Sequence, residues 1–216
     1  MVKWNLFADG SLYGKKGHEN EIVVPGGWAC ILQRAEVRKE EEIVCFGSEM
    51  TIPNIWRMEM RAIVRGLQLA GEGDHVRIFS DSVTALGSIL GSIESHQMGS
   101  FLQSIEPAEK RQHYQRQLNH LFGAQRGHTL GTMVAGARQD EDILRELRAL
   151  LLKRDVAFTK VSDMKIAKGQ QLFETHARCD FLAREVRRSL MRSIGLLPDG
   201  EQVNMHWPYV AGPSSK

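Results

Sequence analysis

Four acidic residues stand at places in the sequence where an isolated negative charge would be costly. Asp9 ends the first predicted strand and Asp81 ends the fourth, while Glu59 lies on the predicted buried face of a helix and Asp180 opens the last predicted helix. A buried carboxylate costs free energy unless a partner or a metal compensates its charge. Carboxylates that converge repel one another, and divalent cations remove that repulsion. We therefore expect the four acids to meet at one edge of a sheet.

Magnesium suits such a group of acids, because this hard cation prefers a few carboxylates together with water and phosphate oxygens. Two such ions, about 4 Å apart, can bind a phosphodiester for in-line displacement. Each acid alone is equally consistent with a helix cap or a solvated charge, and this reading is credible for Asp81, which precedes a helix. The four together indicate metal-dependent phosphodiester chemistry.

The first half of the chain predicts three strands in succession, then a helix, a strand and a second helix. The strands cover about 2–9, 27–32 and 40–47, and their short connections favour an antiparallel meander. The helix runs to about Ala70, with Thr51 or Asn54 as its N-cap. The next strand covers 76–80, and the second helix follows from 83 to about 93. The helical connection before this strand implies that the strand lies parallel to and beside the first one.

The second half predicts a basic helix over 107–122, a glycine-rich loop over 123–136 and an amphipathic helix over 139–153. A fifth strand over 155–161, a loop over 162–174 and a helix from 176 to about 194 follow. We divide the chain into a catalytic core (1–95 and 138–195), an inserted basic helical segment (96–137) and a C-terminal tail (196–216).

Composition sets the broad class of the protein. The chain has 216 residues, a net charge of +2, 42% apolar and 25% charged residues, as in ordinary globular proteins. Any basic surface must therefore be local. An odd number of separated cysteines, no signal peptide and no bilayer-spanning apolar run lead us to expect a cytoplasmic protein without a membrane partner. We also expect a monomer.

Five motifs, in order, resemble type 1 ribonuclease H. They are FADGS (7–11), GGWACIL (26–32), RMEMRA (57–62), IFSDS (78–82) and RCDFLA (178–183). One of them alone would be weak, but the set is specific. The resemblance implies an α/β ribonuclease H-like fold, with a five-stranded mixed sheet of three antiparallel strands followed by parallel strands, flanked by helices.

The resemblance also implies an activity and a cofactor. Asp9, Glu59, Asp81 and Asp180 would bind two Mg²⁺ ions, for which Mn²⁺ could substitute. The reaction would be endonucleolytic hydrolysis of the RNA strand of an RNA–DNA hybrid, leaving 5′-phosphate and 3′-hydroxyl ends.

Substrate contacts are predicted beside the metal site. An enzyme for hybrids must sense 2′-hydroxyls across a shallow minor groove, and Gly10 and Ser11 are candidates for these contacts. Asn54 is a further candidate, although Ile55 and Trp56 separate it from the RMEMRA motif.

The chain departs from the family where a histidine usually follows the last strand, because residues 160–165 contain none. His176, four residues before Asp180, could share a helix face with it and replace that histidine. Lys165 or Lys168 could also serve. Capping or packing is the plainer role for His176.

Lys110, Arg111 and Arg116 give the inserted segment its basic character. They are candidates for phosphate contact, with an ordinary solvated helix as the alternative. Two other functions stay open, since a fold does not determine a substrate. These are a structure-specific DNA nuclease of the resolvase or transposase type, and a non-catalytic nucleic-acid-binding module.

Overall fold

Five strands form one mixed sheet in the part of the chain that the computed structural model describes, namely residues 1–14, 23–35, 42–82, 85, 108–122, 140–161 and 170–196. The strands are β1 (Lys3–Leu12), β2 (Val24–Arg34), β3 (Glu42–Thr51), β4 (His75–Ser80) and β5 (Asp155–Lys160). Their order is β3-β2-β1-β4-β5. The first three pair antiparallel, whereas β1, β4 and β5 are parallel, which confirms the predicted fold class.

Four helices accompany this sheet within the described residues. They are α1 (Ile55–Leu69), α2 (Ala108–Phe122), α3 (Glu141–Lys153) and α4 (Gln170–Ser193). The N-cap of α1 is Asn54, whose side-chain oxygen accepts a hydrogen bond from the backbone N–H of Trp56 at 3.1 Å. No helix among these residues is long and apolar enough to span a bilayer.

The sheet has an apolar core on each face, because side chains alternate along a strand. Leu6 and Ala8 of β1 belong to a core with α1 and α3, whereas Phe7 belongs to a core with α4. The ring of Phe7 stacks on Phe79 of β4, with 4.9 Å between the ring centroids. β1 is therefore buried on both sides, and any polar group on it must find its partner inside the protein.

Helix α2 lies along β5, the edge strand of the sheet. Tyr114 is buried in the core, and the Gln117 side chain contacts two backbone groups of β5. Its oxygen accepts from the N–H of Phe158 at 2.6 Å, and its amide donates to the carbonyl of Val156 at 3.3 Å. These bonds satisfy strand groups that an uncovered edge would leave unpaired.

The structure corrects the start of the last helix. The predicted loop over 162–174 is helical from Gln170, so Asp180 lies well inside α4 and does not open it. The helix predicted over 83–93, the loop over 123–136 and the tail over 196–216 lie outside the described residues, apart from Ala85 and Leu196. Of the inserted segment, 108–122 is described, as α2.

Candidate active site

Asp9 and Asp81 come together through the register of two parallel strands. β1 pairs with β4 as far as Phe7 opposite Phe79, so two residues further along each strand Asp9 and Asp81 are neighbours. β4 ends at Ser80 while β1 continues to Leu12. Asp9 therefore lies within its strand and not at its end, at the point where the neighbouring strand stops. The side chain of Asp81 is 61% exposed, so this point opens to solvent.

Glu59 reaches the same place from α1. Its carboxyl is buried and shares a hydrogen bond with the carboxyl of Asp9. Asp9 Oδ1 also accepts from the N–H of Gly10 at 2.8 Å, but Glu59 Oε2 is buried without a hydrogen-bond partner. We call Asp9, Glu59 and Asp81 the acid cluster.

Burial and neighbouring negative charge favour the protonated forms of Asp9 and Glu59. Burial, reinforced by the charge of Asp81, raises the pKa of Asp9 to about 7. Burial, then the charges of Asp9 and Asp81, hold the pKa of Glu59 well above its ordinary value. A divalent cation would relieve both effects, since it offsets the desolvation of the carboxylates and their repulsion. The partnerless Oε2 of Glu59 is a free ligand atom, so the cluster fits such a cation.

His176 completes a group of three ligands. Ligand atoms of Asp9, Asp81 and His176 lie within 4.8 Å of one another, and His176 Nε2 is 3.9 Å from Asp81 Oδ1. The imidazole hydrogen-bonds to the carbonyl of Ala8, while its Nε2 is buried without a partner, which assigns the Ala8 bond to Nδ1–H. Burial lowers the pKa of His176. A neutral ring with a bare Nε2 can bind a metal or accept a proton.

Asp180 is not part of that group. Its Oδ1 accepts from Arg184 Nε at 2.6 Å, and its Oδ2 accepts from Arg184 Nη2, one helical turn further along α4. The charge of Arg184 also opposes the rise that burial causes in the pKa of Asp9. The structure thus groups Asp9 and Asp81 with His176 and places Glu59 against Asp9. The fourth predicted acid, Asp180, pairs with an arginine instead.

Asn54, a predicted substrate contact, uses both ends of its amide within the protein. Its oxygen caps α1, and its Nδ2 donates to Asp140 Oδ2 at 2.7 Å. Arg57 contacts Asp140 at 3.3 Å and Asp142 at 2.7 Å. These contacts connect the N-terminus of α1 with the N-terminus of α3. Sequence reasoning did not predict them. The other predicted contacts, Gly10 and Ser11, directly follow Asp9 on β1, and Ser11 is buried.

The three basic residues of α2 differ in their surroundings. Lys110 Nζ donates to the carbonyls of Leu152 and Arg154 at 3.3 and 2.7 Å, and burial lowers its pKa. Arg111 is partly buried, whereas Arg116 is exposed. Of the three, Arg116 is the residue with an exposed side chain, although its Nε donates to the carbonyl of Gln112 at 3.4 Å.

Comparison with known proteins places the chain in a family. No family model matches it. It is 34% identical over 121 residues to Ribonuclease H of Campylobacter curvus, covering 54% of this chain and 72% of that protein. It is also 34% identical over 82 residues to Ribonuclease H of Helicobacter acinonychis, covering 38% of this chain and 49% of the relative. The chain spans about half the length of several such curated relatives.

A solved structure agrees in fold. LC9-RNase H1, described as a type 1 RNase H with the type 2 active-site motif, matches 87% of this chain and 73% of its own, with a TM-score of 0.52 and 15% sequence identity. At that identity the match shows the fold alone. Together with the Campylobacter relative, it leads to one conclusion: the chain belongs to the ribonuclease H family.

Proposed function

We propose that the protein hydrolyses the RNA strand of RNA–DNA hybrids, with two Mg²⁺ ions at the acid cluster, and leaves 5′-phosphate and 3′-hydroxyl ends. One observation supports this above the others. Asp9 and Glu59 are buried against each other beside Asp81, and Glu59 Oε2 has no partner. Such an arrangement is unfavourable in a protein that binds no cation, because the two buried acids must either repel each other or keep protons that they would lose in water.

The residues that would hold the ions are Asp9, Glu59 and Asp81, together with Asp180 once it leaves Arg184. When bound, the ions supply a more acidic water and positive charge for the phosphate oxygens. The chain itself contributes the fixed carboxylates, which orient the scissile group at the point where β4 ends. Preorganised charges of this kind need no rearrangement during the reaction.

In this proposal His176 accepts a proton and is not one of the metal ligands. Its ring is fixed by the bond between Nδ1–H and the Ala8 carbonyl, and its bare Nε2 lies near Asp81. Because burial keeps the ring neutral, Nε2 can accept a proton at the site. We propose this role in place of the histidine that family members carry after the last strand.

The choice of RNA–DNA hybrid rests on the named relatives, which are ribonucleases H. Gly10 and Ser11, next to the acid cluster, are our proposed contacts to the 2′-hydroxyls of the RNA strand. A non-catalytic binding module is disfavoured, because clustered negative charge facing a phosphate backbone would weaken binding.

A cleavage assay tests the proposal. Labelled hybrid, double-stranded DNA, double-stranded RNA and a four-way junction are incubated with Mg²⁺ and with either wild type or Asp81→Asn. We expect cleavage of the hybrid alone, with ends of the stated chemistry, and its loss in the variant. Cleavage of the junction alone would make the protein a DNA nuclease, and no cleavage at all would leave a binding module.

A further inference from the structure

Arg184 and Asp180 form a two-point ion pair on the exposed side of α4. Arg184 Nε donates to Oδ1 at 2.6 Å and Nη2 donates to Oδ2. The side chains of Arg184 and Asp180 are 54% and 34% exposed. Both oxygens of Asp180 are therefore occupied by one guanidinium, in the planar geometry that arginine forms with carboxylates.

This pair lies on the part of α4 that contacts β1 on both sides of Asp9. Cys179 Sγ donates to the carbonyl of Phe7 at 3.5 Å, and Arg187 Nη1 donates to the carbonyl of Leu12 at 2.7 Å. The charge of Arg184 also acts on Asp9. A guanidinium cannot lose its proton in a protein, so it is a permanent positive charge at a place where the acids repel. Asp180 cannot ligate a cation through either oxygen until this pair opens.

The neighbouring arginine on the same helix is arranged differently. Arg188 Nη1 contacts Glu185 Oε1 at 2.7 Å, and neither residue belongs to the acid cluster. Arg188 is therefore an arginine on the same helix that forms an ion pair with a residue outside the acid cluster. It offers a matched control for Arg184.

We propose that Arg184 is a built-in counter-cation, which holds Asp180 in the metal-free protein and is displaced from it by a divalent cation. This inference rests on the proposed function, because it needs a cation that binds at the acid cluster. Arg184 is thus a positioning residue that acts through Asp180. It keeps the metal-free site stable and makes the site bind cations more weakly than its carboxylates alone would.

Two opposite effects of removing Arg184 follow. Without metal, Asp180 and Asp9 lose a neutralising charge, so the melting temperature falls. With metal, the cation no longer competes with the guanidinium, so its affinity rises by roughly three- to tenfold. Because a bound ligand stabilises the folded state in proportion to the logarithm of its concentration over Kd, the Mg²⁺-induced rise in melting temperature becomes larger.

The experiment titrates Mg²⁺ into wild type, Arg184→Gln, Arg184→Lys and Arg188→Gln, by calorimetry and by thermal melting. We expect tighter Mg²⁺ binding and a larger Mg²⁺-induced shift in Arg184→Gln, and an intermediate effect in Arg184→Lys, which keeps the charge but loses the planar contact. Arg188→Gln should match wild type in both. If Arg184→Gln does not fold, Arg184→Lys can still be compared with wild type in its Mg²⁺ affinity and its Mg²⁺-induced shift in melting temperature.

The outcomes separate the inference from the proposed function. If wild type binds Mg²⁺, Asp9→Asn abolishes binding and Arg184→Gln binds as wild type does, Arg184 is only a structural partner of Asp180 and the inference is overturned. The inference is also overturned if Arg184→Gln lowers the melting temperature equally with and without Mg²⁺. If wild type itself shows no Mg²⁺ binding, both the inference and the proposed function fail.

Discussion

A Cβ atom at Gly10 would lie 2.6 Å from the backbone nitrogen of Glu59 and 2.8 Å from the carbonyl carbon and the Cβ of Met58. β1 and α1 can therefore approach this closely only because residue 10 has no side chain. That approach is what brings the Glu59 carboxyl to Asp9. Gly10 was predicted as a substrate contact, and the structure gives it a further role in assembling the acid cluster.

The first prediction concerns this close approach. Gly10→Ala must move β1 or α1, since the obstructing atoms belong mainly to the backbone, and we expect a stability loss of about 1–3 kcal/mol. Hybrid cleavage should fall by at least about 100-fold, because a misplacement of roughly 1 Å at an active site has that effect. Thermal melting and a cleavage assay measure both.

Gly14→Ala is the matched control, because a Cβ at Gly14 would meet nothing within 4 Å. We expect wild-type melting temperature and activity. A Gly10→Ala variant with wild-type activity would show that the contact with α1 does not position Glu59.

The second prediction is a pH dependence of the metal-free protein. The pKa of Asp9 is about 7 in the folded state against an ordinary value of 3.8. Below pH 3.8 Asp9 is protonated in both the folded and the unfolded protein, so its burial does not change stability with pH. At higher pH Asp9 ionises first in the unfolded chain, which favours unfolding. Stability should therefore fall as pH rises from about 4 to about 7, by on the order of 2–4 kcal/mol. Chemical denaturation in EDTA between pH 5 and 8 measures the decline.

Saturating Mg²⁺ should remove most of this decline, because the cation stabilises the ionised carboxylates. Asp9→Asn should reduce this decline without metal but not abolish it, because Glu59 stays buried and keeps a raised pKa. The exposed Glu72→Gln should leave the decline unchanged over the same pH range. A metal-free wild type that gains stability with rising pH would contradict the raised pKa of Asp9.

Sequence patterns were sufficient to locate the five strands, to pair the first three antiparallel and to place β4 beside β1. Asp9 ends the apolar run of β1 and Glu59 interrupts an apolar helix face, so the burial of these two acids could be inferred from local context. The side chain of Asp81, by contrast, is 61% exposed. The partner of Asp180 could not, although Arg184 stands four residues away at helical spacing. Whether an acid pairs with a nearby arginine or with a cluster elsewhere depends on which way the helix face points, and that is set by packing.

Distant contacts were also beyond sequence reasoning. Asn54 and Asp140 are 86 residues apart, and nothing local to either indicates the other. The basic helix 107–122 was predicted from composition, but its packing against β5 depends on Tyr114 and Gln117, whose partners lie about forty residues away. Composition alone therefore could not separate the charges that face solvent from those that support the sheet.

The third prediction concerns Asn54. Asn54→Ala removes both the cap of α1 and the bond to the buried Asp140, and we expect a loss of about 1–3 kcal/mol. Asn54→Ser keeps a cap and loses only the bond to Asp140, so its stability should lie between wild type and Asn54→Ala. Denaturant unfolding gives the order of the three. If Asn54→Ala has wild-type stability and a raised KM for hybrid, Asn54 is a substrate contact, as the sequence predicted.

The last prediction separates the basic residues of α2. Arg116 is exposed, so if it contacts phosphate, Arg116→Gln should reduce the slope of log affinity against log salt by about 1. Lys110→Met should instead lower the melting temperature and leave the slope unchanged, because Lys110 Nζ already donates to the carbonyls of Leu152 and Arg154. Hybrid binding is measured in the Asp81→Asn background, which prevents cleavage. If the slope is unchanged in Arg116→Gln, Arg116 does not contact phosphate and α2 only packs against β5. If the slope is reduced in Lys110→Met, the Lys110 ammonium must leave those carbonyls to contact the substrate.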